Sequence, residues 1–148
     1  MWLTRVSRLN TVAVEACAAQ AGMTASEVAV LGMLSRSGPV LSPTRLQVLV
    51  IQSPGGLTKT LRRLEDAGYV RRLPDPNDRR ALLVELTAKG RRASVRADAA
   101  VDAHYAEMLA DLDHDDRVTL TALLRGVLDR LEAVTGQHTT VRTGTSSP

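Results

Sequence analysis

The chain is poor in aromatic residues: Trp2, Tyr69 and Tyr105 are all it has, and phenylalanine is absent. A core within 148 residues must therefore be assembled from Leu, Val and Ala, which favours packed helices in one modest domain. Cysteine is limited to Cys17. That excludes an internal disulfide and a cysteine-rich metal site, and it points to a reducing, cytoplasmic setting. Long apolar runs are missing too. No stretch approaches the ~20 residues of a membrane span, so no membrane partner is expected. Arg5 and Arg8 ahead of TVAVEACAAQA loosely imitate an export signal, but Asn10 and Glu15 interrupt an apolar stretch that is already too short.

Catalytic and metal signatures are equally scarce. No Gly-x-Ser-x-Gly elbow and no phosphate loop occurs. Asp111, Asp113 and Asp115 begin like a calcium loop, yet the required glycine falls on Asp116 and the terminal glutamate on Ala122. His104, His114 and His138 are too dispersed to form a metal site with Cys17. The alanines around Cys17 favour a buried, inert thiol. The expectation is a protein that is not an enzyme and carries no cofactor.

What is present is segregated charge. The overall net charge is +3. Between Lys59 and Arg92, ten basic residues stand against five acidic ones, a net +5. From Ala93 to the end, five arginines face nine acids, a net −4. A basic middle beside an acidic end suggests a polyanion site separated from a second role; charges scattered over a solvated surface are the plainer alternative.

The apolar spacing predicts a helix from Met1 to Ala21 on Leu3, Val6 and Leu9, ended by Gly22. Thr24 and Glu27, three apart, form a capping box that opens a second helix with Val28, Leu31 and Leu34 inward. Ser42-Pro43 and Ser53-Pro54 each place a hydroxyl cap before a proline whose missing N–H costs nothing in a first turn. They start two short helices, about 43–49 and 54–66, and hence a helix-turn-helix. Two strands follow, Tyr69–Leu73 and Ala81–Leu86, around a tip preset by two prolines. Thr87 caps a long helix with the stripe Ala97, Val101, Tyr105, Met108 and Leu112. Asp113 caps a last helix whose Leu120, Leu123, Leu124, Val127, Leu128, Leu131 and Val134 form a strong amphipathic pattern. Residues 135–148 are polar and read as a disordered tail. The expected fold is mainly α with a small β wing. Residues 1–23 and 91–134 supply dimerisation helices around a winged helix-turn-helix lobe at 24–90.

With its inward leucines removed, the second short helix keeps Gly55, Gly56, Thr58, Lys59, Arg62 and Arg63 outside. Small residues at its start let backbone amides approach phosphate, with the hydroxyls of Ser42 and Ser53 at the two helix starts. Lys59 and Arg62 reach base edges, and Arg63 lies to the side, toward the phosphate backbone. A wing beside such a helix lies over the minor groove, where an inserted arginine is favoured. Arg80 is the candidate, oriented by Asp78 through a charge-assisted hydrogen bond, with Arg79 on phosphate. In the plainer reading, Asp78 and Arg80 only stabilise the turn. The leucine-rich last helix is too apolar to leave exposed. A homodimer would bury Leu3, Val6, Leu9, Leu120, Leu124, Val127 and Leu131 symmetrically and present two reading helices to half-sites about one DNA turn, ~34 Å, apart.

The segments MTASEVAVLGMLSRSG, SPGGLTKTLRRLEDAGYVRRLPDPNDRRALLVELTAKG and LTALLRGVLDRLEA together resemble the MarR family of bacterial winged-helix transcription regulators. The resemblance covers about Met1 to Thr135, and its most specific part is the wing, with Asp-x-Arg at Asp78 and Arg80. It implies a homodimer with interlocked first and last helices, a recognition helix at 54–66, and a pseudo-palindromic double-stranded DNA operator. It further implies a repressor modulated by a small apolar or phenolic effector bound between the dimer helices and the DNA-binding lobes. Gly55 and Gly56 depart from the family, which usually has Ser, Thr or similar residues there. This moves base readout onto Thr58, Lys59 and Arg62. The competing reading is a winged-helix protein-interaction module with no DNA role, on whose apolar docking face exposed Lys59, Arg62, Arg79 and Arg80 would be wasted.

Overall fold

The computed structural model describes residues 1–50, 52–78 and 80–136. Its elements are α1 (Trp2–Gln20), α2 (Ala25–Ser37), β1 (Val40–Leu41), α3 (Pro43–Val50), α4 (Pro54–Asp66), β2 (Val70–Pro74), β3 (Leu82–Leu86), α5 (Ala88–Met108) and α6 (His114–Thr135). Of the tail expected at 135–148, residues 137–148 lie outside the described residues, while Thr135 ends α6 and Gly136 is its left-handed cap.

Local rules set the helix starts. Glu27 N–H donates to Thr24 Oγ1, and Thr24 N–H donates to Glu27 Oε2 at 2.7 Å, so the capping box of α2 is complete. Ser53, Thr87 and Asp113 accept from the third residue of α4, α5 and α6. Gly68, after the last turn of α4, takes φ 71, a left-handed value that lets the chain reverse into β2.

Helix α2 is the centre of the lobe. It packs on α1, α3, α4, α5 and β3, and Leu31 and Leu34 are fully buried with Leu46 of α3, Leu64 of α4 and Val84 of β3. The sheet has order β1-β3-β2 and is antiparallel, with Arg71 opposite Glu85 and Leu73 opposite Leu83. Strand β1 has no sequence signature: two residues, Val40 and Leu41, pair with Glu85 and Val84. The junction of wing and α5 is tight. A β-carbon at Gly90 would overlap the Tyr69 carbonyl oxygen, so only glycine lets α5 start against the foot of β2.

The stripe read onto α5 is corrected at its end. Ala97 is buried, Val101 and Tyr105 are partly buried, Met108 is 54% exposed, and Leu112 falls beyond the helix. In α6 no residue is buried, although the apolar pattern is strong. Among the described residues its leucines are exposed except Leu120, which is partly buried. Among the described residues no single helix is long and apolar enough to cross a membrane.

Candidate nucleic-acid interface

The reading helix α4 begins with two glycines, a weak start for a helix. Its first turn is held from outside the glycines. Ser53 Oγ accepts from Gly56 N–H, while Thr58 and Thr60 hydroxyls donate to the Pro54 and Gly56 carbonyls at 2.9 and 3.0 Å. Leu57, Thr60, Leu61 and Leu64 point inward, leaving Gly55, Gly56, Thr58, Lys59, Arg62 and Arg63 outside. A β-carbon at Gly55 would meet open space, so nothing among the described residues requires a glycine there. Ser42 plays the same capping part in α3, accepting from Arg45 N–H at 3.2 Å.

The wing tip is preset by its aspartates. Asp75 Oδ1 accepts from Asn77 N–H and Asp78 Oδ1 from Arg80 N–H, at 2.8 and 2.9 Å, and Asp75 N–H closes the hairpin onto the Ala81 carbonyl. Asp78 therefore meets Arg80 through the backbone amide, and the expected carboxylate–guanidinium bond is replaced by an Asx turn. The Arg80 side chain is left exposed. Arg79 lies outside the described residues.

The basic segment divides into committed and free charges. Arg71 pairs across the hairpin with Glu85, Arg72 Nε donates to Glu65 at 3.0 Å, and Lys89 Nζ donates to the Ala67 carbonyl while lying over the Tyr69 ring. The bond from Arg71 holds the Glu85 carboxyl below its ordinary range, and Glu85 in turn raises Arg71. Arg63, read from the sequence as a phosphate contact, forms an ion pair with Glu27, Nε lying 2.9 Å from Oε1. Sequence reasoning missed this pair because the partners are 36 positions apart; a lone glutamate at a buried helical position was the available clue. Lys59, Arg62 and Arg80 make no side-chain hydrogen bond or ion pair among the described residues.

A helix-turn-helix with free cations on its second helix, followed by a basic hairpin, defines the class as a winged-helix, DNA-binding protein. Comparison with known proteins narrows this. A family model described as MarR family matches residues 21–81. The HTH-type transcriptional repressor Rv2887 of Mycobacterium tuberculosis is 39% identical over 110 residues, 74% of this chain and 78% of that protein. The multiple antibiotic resistance protein MarR of Escherichia coli is 36% identical over 108 residues, covering 72% and 74%. The transcriptional activatory protein BadR of Rhodopseudomonas palustris is 34% identical over 114 residues, covering 75% and 65%. Among solved structures, a cysteine-to-serine mutant of E. coli MarR complexed with operator DNA aligns with a TM-score of 0.76 at 29% identity, over 86% of this chain and 91% of that one. The chain belongs to the MarR family, and it is a DNA-binding transcription regulator rather than an enzyme.

Proposed function

We propose that the protein is a homodimeric, ligand-responsive repressor that binds a pseudo-palindromic operator. Thr58, Lys59 and Arg62 read base edges in the major groove. The backbone amides at the starts of α3 and α4, near Ser42, Ser53, Gly55 and Gly56, meet phosphate, and Arg79 and Arg80 enter the minor groove or its walls. The observation that carries the reading is the charge division: among the described residues Lys59, Arg62 and Arg80 are exposed and unpartnered, while Arg63, Arg71, Arg72 and Lys89 are engaged. Repression is favoured over activation by the named repressors among the relatives, although BadR is an activator.

Dimerisation is supported by the exposed apolar stripes. Leu3, Val6 and Leu9 of α1 are 59–61% exposed, and Leu124, Val127 and Leu131 of α6 are 41–53% exposed; Leu120 is partly buried. Stripes of this kind are covered by a partner in a soluble protein. For the effector, a cavity of about 570 Å³ between α1, α2 and α5 offers room for a small apolar or phenolic ligand. Val14, Val28 and Val101 supply apolar wall, Tyr105 a hydroxyl, and Arg36, beside Asp98 at 3.7 Å, a cation.

Selection of bound duplexes from a randomised pool tests the DNA reading. The expected winner carries two inverted half-sites about 10 base pairs apart centre to centre. Enrichment of a single half-site, or of nothing, contradicts it. Phenol, titrated against the selected complex, is expected to release DNA from the wild type and not from a variant with the cavity filled, Val101→Trp.

A further inference from the structure

Glu27 is the one charged residue buried among those described, with 6% exposure. Both its oxygens are used. Oε2 closes the cap of α2 by accepting from Thr24 N–H at 2.7 Å, and Oε1 forms an ion pair with the Arg63 guanidinium, Nε lying 2.9 Å away. The first bond fixes the carboxylate to its own helix, so the second ties α4 to α2 at a defined place. Arg63 lies one turn after Lys59 and beside Arg62. A shift at Arg63 therefore moves both cations argued to read bases.

We propose that Glu27 and Arg63 are positioning residues that set the angle of the reading helix, and that DNA discrimination depends on Glu27 although no duplex reaches it. A carboxylate already out of water accepts the guanidinium with little further desolvation, and because it is fixed to its own helix the ion pair has one anchored end. Leu57, Leu61 and Leu64 seat α4 by apolar packing, and the pair adds a polar tie beside that seat. It also lies on the helix whose other face, at Ala25, Val28 and Ala29, lines the α1–α2–α5 cavity. In addition, Ala25 N–H donates to Glu15 of α1 at 3.2 Å. A displacement of the start of α2 is thereby passed to α4 through the ion pair as well as through the apolar contact between the two helices.

The proposal rests on the DNA-reading function, and the test separates the two. Full-length wild type, Glu27→Gln, Arg63→Met, the double variant and Arg62→Ala are titrated against the selected duplex and a random duplex at several salt concentrations. All must first be shown folded by circular dichroism at the assay temperature. Positioning predicts that Glu27→Gln and Arg63→Met each lower the selected-to-random ratio by about tenfold, that the double variant is no worse than either, and that the salt slope is unchanged. Arg63→Lys restores part of the ratio. A phosphate role for Arg63 predicts instead a slope smaller by about 0.9 with Glu27→Gln behaving as wild type; that result, or wild-type ratios throughout, overturns the proposal. If Arg62→Ala changes binding while Glu27→Gln does not, the DNA reading stands and the positioning pair falls. If the wild type selects no duplex, the DNA reading is what fails. The pair is then judged by a thermal-melting double-mutant cycle on the free protein, where zero coupling overturns it and a clear coupling supports it.

Discussion

Arg80 and Glu85 sit in one hairpin and answer to different solution variables. The Arg80 side chain has no partner among the described residues while its amide is pinned by Asp78, so its charge is held out on a rigid stem. Arg80→Ala is expected to weaken DNA binding and reduce the salt slope by about 0.9, since one fewer counterion is released; a mobility-shift titration with an unchanged slope would remove Arg80 from the interface. Glu85 responds to pH. Its folded pKa is lowered, first by the hydrogen bond from Arg71. Its contribution is complete above the ordinary carboxylate value of about 4.3 and is lost as pH falls through the depressed folded value. Melting temperatures measured from pH 6 down to 3 should therefore fall less steeply in Glu85→Gln than in the wild type. At this scale the sequence was informative about exposure and less so about partners. The outward set on α4 followed from subtracting the leucines, but the commitment of Arg63 to Glu27 needed tertiary distance. Asp78 and Arg80 stood two apart in the sequence, and only backbone geometry decided that the carboxylate takes the amide and not the guanidinium.

The elements were legible where punctuation was strong. Ser-Pro pairs, the Thr24–Glu27 box, Thr87 and Asp113 mark helix starts, and these are short-range physics that a chain cannot hide. Strand β1 was invisible because two residues carry no period; it exists because Leu86 N–H and the Pro39 carbonyl, 2.7 Å apart, bring that segment to the edge of β3. The end of α5 was overrun because Leu112 continues an apolar spacing that the backbone does not follow. Gly90 offers the sharpest test of an element boundary. Its β-carbon would strike backbone at Tyr69 and, at 2.9 Å, the Leu86 side chain, and the Tyr69 carbonyl is held in place by the Thr87 N–H. Gly90→Ala should destabilise the protein by about 3 kcal/mol, read from urea unfolding. A loss within experimental error would mean that the start of α5 can slide.

At the scale of the whole molecule, the protomer is an incomplete solution to its own sequence. Leu124 is 53% exposed on a helix with no buried residue, and in the proposed dimer a second copy covers it. Leu124→Asp should give monomers or aggregates by light scattering and abolish binding to a two-half-site duplex; a folded dimer that still binds would locate the subunit contact elsewhere. The junction at Thr87 adds a mechanical corollary. Thr87 N–H donates to the Tyr69 carbonyl, and its hydroxyl reaches the Gly68 and Tyr69 carbonyls at 2.9 and 3.0 Å. Helix and hairpin thus share a riveted base. Five strand residues project the tip roughly 17 Å from it, so tilting α5 by ~5° would swing Arg80 by ~1.5 Å, enough to lose its seat in a groove. Leverage of that kind would turn a slight rearrangement among the subunit helices into release at the far end.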